Sequence, residues 1–272
     1  MKFRHCLAAS AALCGAAYYT LKCRKGHPDL HKLRGWNYAH RGLHGEGRPE
    51  NSMAAFRAAL EHGFGIEFDI HLLKDGNLAV MHDSLLLRTT GCEGRMEDLT
   101  TEELQNYRLE GTEETIPTFR DVLELYDGKA PLIIELKPVD GNHAQLAGTA
   151  CKMLESYKGA YCLESFDPRC VQWLKKNRPE LIRGQLSEYF LENDDTLPPA
   201  IRFLMSHNLL NCMGRPDFVA YKFQNRERTV TNRIWKDLMG VQGVSWTLKT
   251  PEEYKIAVKE GYIPIFEGFL PE

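Results

Sequence analysis

Glu67, Asp69 and Glu135 are the residues of this 272-residue chain best placed to do chemistry together. Glu67 and Asp69 stand two apart in an apolar run, so on a strand both leave the same face. Glu135 belongs to a second such run, Leu132–Lys137. Three carboxylates converging on one point would repel unless a cation joined them, and all-oxygen ligation suits Mg²⁺ or Ca²⁺. Zinc is disfavoured, because no His pair at zinc spacing accompanies the carboxylates. The competing reading is a structural ion pair in which one or more of the three meets Arg41 or Lys137. His40 and His82 supply two imidazoles, the groups that serve as general acid and base at neutral pH. Arg41 offers a planar fork and Lys137 a point charge for phosphate oxygens. Such a set suits a metal-bound phosphodiester.

Something must bring these scattered positions to one place. From Trp36 onward, short apolar runs alternate with longer helical patterns, which is the signature of βα repetition around a parallel sheet. Eight runs read as strands: Asn37–Gly42, Gly65–Ile70, Leu132–Lys137, Tyr161–Phe166, Gly184–Glu188, Phe218–Phe223, Gly243–Leu248 and Ile263–Glu267. Helical patterns fall between them, at Asn51–His62, Thr101–Tyr107, Thr118–Tyr126, His143–Tyr157, Pro168–Asn177, Thr196–Leu210, Val230–Leu238 and Pro251–Glu260. Eight strands with helical crossovers predict an α/β fold of the TIM type, a closed (β/α)₈ barrel whose active site sits at the carboxyl ends of the strands. The proposed acids, His40, Arg41 and Lys137 all lie at such ends. A ninth apolar run, Leu78–His82, follows the second strand after only Lys74-Asp75-Gly76-Asn77, a link too short for a parallel return. It predicts a β-hairpin excursion whose descending arm brings His82 back beside Asp69.

A net charge of −3, with no Lys/Arg run, offers no field for a nucleic-acid backbone. Residues 35–272 are long enough for one domain with a full core. Residues 1–25 differ: Cys6–Leu21 is almost wholly apolar between basic flanks, too short for a spanning helix of about 20 residues and too long for a signal-peptide core of about 7–15. The expectation is an uncleaved membrane anchor outside the fold. Lys22, Arg24, Lys25, Lys32 and Arg34 outnumber Lys2 and Arg4, favouring a cytoplasmic C-terminal domain. Cys92, Cys151, Cys162, Cys170 and Cys212 show no CxxC spacing, so buried reduced thiols are expected.

The motifs His40-Arg41-Gly42, Pro49-Glu50-Asn51-Ser52, Glu67-Phe68-Asp69, Lys74-Asp75-Gly76, His82-Asp83, Arg88-Thr89-Thr90-Gly91 and Ile134-Glu135-Leu136-Lys137 share one further property. With Ser165-Phe166-Asp167-Pro168 and Trp246-Thr247, their number, order and spacing resemble the glycerophosphodiester phosphodiesterase family. The resemblance implies that Glu67, Asp69 and Glu135 ligate the metal, that His40 and His82 form the acid–base pair, and that Arg41, Glu50 and Lys137 support phosphate or metal. It implies hydrolysis of a glycerophosphodiester to an alcohol and sn-glycerol 3-phosphate. Trp246 could pack on a glycerol or acyl group, or simply fill the barrel. Leu73 replaces the usual Thr before Lys-Asp-Gly, and the closing Thr-Asp-x-Pro becomes Phe266-Glu267-Gly268-Phe269-Leu270-Pro271. These departures touch pocket shape and therefore substrate choice. The alternatives are a related membrane-associated phosphodiesterase acting on lysophospholipids, phospholipase D- or C-like, and an inactive lipid-binding barrel.

Overall fold

Eight parallel strands close on themselves. The computed structural model describes residues 15–192 and 197–271 of the chain. Its strands are β1 (Tyr38–His40), β2 (Gly65–Leu72), β3 (Leu78–Val80), β4 (Leu132–Leu136), β5 (Tyr161–Ser165), β6 (Arg183–Ser187), β7 (Phe218–Lys222), β8 (Gln242–Leu248) and β9 (Ile263–Phe266). β1 pairs in parallel with both β2 and β9, which seals the cylinder, while β3 lies antiparallel on β2 as the expected hairpin. All eight expected barrel strands are therefore present.

Strand alternation sorts the side chains into two cores. Tyr38, Ile133, Cys162, Phe218 and Val244 point inward and pack as one apolar floor. Their neighbours Ala39, Ile66, Phe68, Ile134, Leu163 and Val219 point outward into the helical layer. Two residues further along the same inward faces come His40, Glu135, Glu164 and Trp246, because the side-chain period of a strand is two. A polar mouth on an apolar floor is thus written into β1, β4 and β5. Gly65 begins the inward row of β2, where a Cβ would come within 2.8 Å of the Tyr38 ring, so the floor has no room there for a side chain.

The helices that return the chain lie close to expectation, with Met53–Glu61, Phe119–Tyr126, His143–Leu154, Pro168–Asn177 and Pro251–Lys259 the principal ones. Ser52, Thr118, Asp167 and Thr250 cap four of them by accepting a backbone N–H. Three expectations shorten or change: Thr101–Asn106 is a 3₁₀ helix, Pro199–Ser206 replaces the longer 196–210 helix, and Val230–Arg233 runs into a π-helical turn. The stretch from Leu73 to Phe119 carries its own small core of Leu73, Met81, Leu86, Met96, Leu104 and Ile116. That core makes the excursion a solid shelf beside the mouth.

The expected anchor is corrected. Residues 1–14 lie outside the described residues, and no helix among the described residues is long and apolar enough to cross a membrane. Residues 15–21 form a short helix whose end belongs to the barrel. Leu21 and Cys23 are 1% and 3% exposed within the outer core. Arg24 pairs with buried Asp217 at 2.5 Å, and Arg215 donates to the Tyr19 and Lys22 carbonyls. Burial of Leu21 against the barrel offsets the cost of ordering this segment, which the apolar pattern alone had suggested was lipid-facing. The membrane-side expectation falls with the anchor. Among the cysteines, Cys151, Cys162 and Cys170 are buried thiols as expected, but Cys92 is exposed and Cys212 half-buried.

Leu21→Ala should therefore lower unfolding stability by about 2 kcal/mol or more, the usual cost of a buried leucine. Chemical denaturation checks this, and an unchanged midpoint would mean that the segment does not pack on the barrel.

Candidate functional site

Backbone register brings the acids together. His40 lies opposite Glu67, Asp69 opposite Glu135, and Glu135 opposite Glu164. Glu67, Asp69 and Glu135 are 4%, 1% and 6% exposed, and each offers an oxygen within 4.8 Å of the others. The cations distribute unevenly around them. Lys137 Nζ lies 3.1 Å from Glu135 and 3.6 Å from Asp69, while Arg41 binds Glu50 at 2.9 Å and reaches Asp69 only at 3.7 Å. Among the described residues no lysine or arginine ion-pairs with Glu67, whose nearest partner of opposite potential is the His40 ring at 3.8 Å. The structural ion-pair reading therefore accounts for two carboxylates and leaves the third.

The electrostatics agree. Burial, then repulsion from Asp69 and Glu135, pushes the Glu67 carboxyl well above the usual range. Burial raises Glu135 to about 7 although Lys137 opposes it. Asp69 is also buried, but Lys137, His82, Arg41 and a hydrogen bond from Asn51 Nδ2 at 3.0 Å outweigh that and hold it low. Glu67 Oε2 and Asn51 Oδ1 are buried without a hydrogen-bond partner. Two orphaned acceptors in an all-oxygen pocket of excess negative charge fit a hard divalent cation.

Both expected histidines flank this cluster, each backed by a carboxylate. His40 Nδ1 is 2.5 Å from Glu267 Oε2, and His82 Nδ1 is 2.5 Å from Asp83 Oδ1. A carboxylate only accepts, so each Nδ1 donates and each Nε2 is left with its lone pair. The hairpin delivers His82 as expected, through a hydrogen bond from Met81 N to the Asp69 carbonyl at 3.2 Å. His71, tied to Glu97 at 2.7 Å, reaches the His82 carbonyl at 3.3 Å. Burial lowers both rings' proton affinity, His82 to about 4, with Arg41 adding to the effect at both and Lys137 at His82. Glu50 clamps two guanidiniums, Arg41 and, at 2.6 Å, Arg88, which also binds Asp83. Arg41 takes a left-handed conformation, φ 55°, at the sharp exit from β1.

Trp246 lies at the same end of the barrel but packs its ring edge-on to Phe166 at 5.5 Å. Phe166, with His82, Lys137, Leu85, Leu87 and Val139, lines a cavity of about 730 Å³ that opens beside the cluster. Three groups escaped the sequence reading. Glu267 backs His40, Asp83 backs His82, and Glu164 is wholly buried with both oxygens unpartnered. Strict alternation from Ile265 would have placed Glu267 inward, and from Cys162 likewise Glu164. Asp83 carried no such signal, since it follows the strand and is set by the excursion.

Residues 40–269 match the sequence model of the Glycerophosphoryl diester phosphodiesterase family. The chain belongs to this family. YhdW of Bacillus subtilis strain 168, whose name assigns it this activity provisionally, is 42% identical over 248 residues, 85% of this chain and 95% of that protein. A glycerophosphodiester phosphodiesterase of Bacillus altitudinis is 43% identical over 107 residues, 37% of this chain and 43% of its own length. The match thus spans less than half of that relative. In fold, an Oleispira antarctica phosphodiesterase solved with the product sn-glycerol-3-phosphate superposes with a TM-score of 0.70 at 22% identity, covering 85% of this chain and 92% of its own. That likeness supports the barrel alone.

If the cluster holds a cation, added Mg²⁺ or Ca²⁺ should raise the thermal midpoint of the wild-type protein, by mass action on the folded state. Glu67→Gln should abolish the rise, and an equal shift in that variant would place the cation elsewhere.

Proposed function

We propose that the protein hydrolyses glycerophosphodiesters to an alcohol and sn-glycerol 3-phosphate at the carboxylate-rich mouth of the barrel. The observation that carries this reading is the pair of imidazoles, each with Nδ1 tied to a carboxylate and Nε2 free, on a mouth that also presents Arg41 and Lys137. Family membership supports it.

Glu67, Asp69 and Glu135 would hold the cation, Mg²⁺ or Ca²⁺, which when bound supplies Lewis-acid stabilisation of phosphoryl charge. Everything else comes from the chain. Arg41, held by Glu50, and Lys137 offer donors to the non-bridging oxygens, where negative charge grows as phosphorus is attacked. One imidazole accepts the proton of the attacking water or glycerol hydroxyl through Nε2. The other, protonated once the anionic diester is bound, returns a proton to the leaving alcohol oxygen. Glu267 and Asp83 fix ring orientation and stabilise whichever imidazolium forms. The two rings are supplied by different elements, His40 by β1 and His82 by the end of the hairpin, so acid and base roles can fall to separate groups.

The test is release of glycerol 3-phosphate from glycerophosphocholine and glycerophosphoethanolamine by the full chain, with Mg²⁺, Ca²⁺ or chelator. Cation-dependent release that vanishes in Glu67→Ala is expected. His40→Ala and His82→Ala should each lose about 10²-fold or more in kcat, the usual contribution of a general acid or base. No release with any cation would sink the reading, and a near wild-type rate in either variant would remove that histidine.

A second reading, in which the diester carries an apolar chain, draws on the cavity. Its volume of about 730 Å³ and its walls of Leu85, Leu87 and Val139 exceed what a small polar alcohol needs. Leu85 and Leu87 are 62% and 58% exposed at its lip. A lysophospholipid would cover them. Choline release from lysophosphatidylcholine should then fall about tenfold in kcat/KM in Leu87→Glu, in line with the burial of one leucine, while glycerophosphocholine turnover stays unchanged. Equal effects on both substrates would exclude the apolar chain.

A further inference from the structure

Beside the oxygen-only cluster lies a second group of a different chemical kind. His40, His44 and Glu267 each present a ligand atom within 4.8 Å of the others. Glu267 Oε2 faces both rings, 2.5 Å from His40 Nδ1 and 3.7 Å from His44 Nε2. His44 Nε2 is buried and makes no hydrogen bond, so a nitrogen lone pair or N–H in this pocket goes unused. Glu267's other oxygen, Oε1, is engaged by Lys249 at 3.2 Å, and Lys249 is 64% exposed. The zinc pattern missing from the carboxylate cluster is therefore assembled here, from the last residue of β1, the loop that follows it and the residue just after β9.

We propose that His40, His44 and Glu267 form an inhibitory site for a borderline transition-metal dication of the Zn²⁺ class, distinct from the hard-cation cluster of Glu67, Asp69 and Glu135. Two imidazoles and one carboxylate are a donor set zinc prefers and magnesium and calcium do not, with water completing four-coordination. The two clusters thus divide cations by ligand softness. Inhibition follows from which nitrogen is taken. A metal on His40 Nδ1 displaces the hydrogen bond to Glu267 and confines the ring's remaining proton to Nε2. That nitrogen then has no lone pair to accept a proton, and the metallated ring cannot turn to present another. The binding claim stands on geometry alone; only the inhibition rests on the role proposed for His40. Lys249 opposes the dication by charge and, being exposed, can swing away, so it sets the affinity rather than forbidding the site.

The test titrates Zn²⁺ against the full chain held at saturating Mg²⁺, reading binding by calorimetry and, separately, glycerophosphocholine turnover. One tight Zn²⁺ equivalent is expected. His44→Ala, which leaves His40 and Glu267 in place, should keep basal turnover while binding Zn²⁺ at least about tenfold more weakly, as loss of a metal-supporting group does. Lys249→Ala should bind it more tightly. Zn²⁺ binding unaltered by His44→Ala would overturn the site, whatever the activity data show, and would point to exchange at the carboxylate cluster. Tight, His44-dependent binding without inhibition would retain the site and remove its link to His40.

Discussion

Repulsion among three buried carboxylates is the constraint around which the mouth of this barrel is organised. Glu67, Asp69 and Glu135 occupy neighbouring inward positions of β2 and β4, below 7% exposure, where water screens little. Lys137 and Arg41 offset part of their charge, yet among the described residues no lysine or arginine ion-pairs with Glu67. The surrounding polar groups read as responses to that charge: Asn51 donates to Asp69, Glu50 restrains Arg41 and Arg88, and burial lowers the proton affinity of both imidazoles beside it. A structure that only sought stability would have placed apolar residues here, since replacing buried ions with hydrophobic groups is often neutral or favourable. Retained, unbalanced charge on a dry floor is a ready cation site.

The rest of the architecture supports that cluster from below and from the side. The inner floor of Tyr38, Ile133, Cys162, Phe218 and Val244 packs as one apolar layer beneath the cluster. The hairpin excursion, with its separate core, holds His82, Asp83 and Arg88 against one flank. The β9 rim supplies Glu267 to the other flank, where it backs His40 and faces His44. Each flank therefore pairs an imidazole with a carboxylate, the adjacent Asp83 for His82 and the distant Glu267 for His40. The departure at the closing motif, glutamate in place of aspartate, keeps an acid at this position with one more methylene of reach.

Period-two and helical patterning made the barrel legible, because eight apolar runs separated by capped helical stretches admit few other arrangements. The acids Glu67 and Asp69 were legible from their spacing, Glu135 from its place in a neighbouring strand, and His82 from a four-residue link that can only turn back. The N-terminal segment was misread. An apolar run between basic flanks looks alike whether it meets lipid or a barrel surface, and the contact of Leu21 and Cys23 with the outer core tells the two apart.

The sequence by itself determined the fold class, the family and which residue types meet at the strand ends, since these follow from local periodicity and motif order. Only the tertiary structure decided which groups touch. Glu267 and His40 are 227 residues apart and become partners because β9 closes against β1. Arg24 meets Asp217 across 193 residues because the N-terminal segment docks on the barrel beside β7. Contacts of that kind depend on barrel closure and strand register, and a linear pattern carries no record of either until the chain has folded.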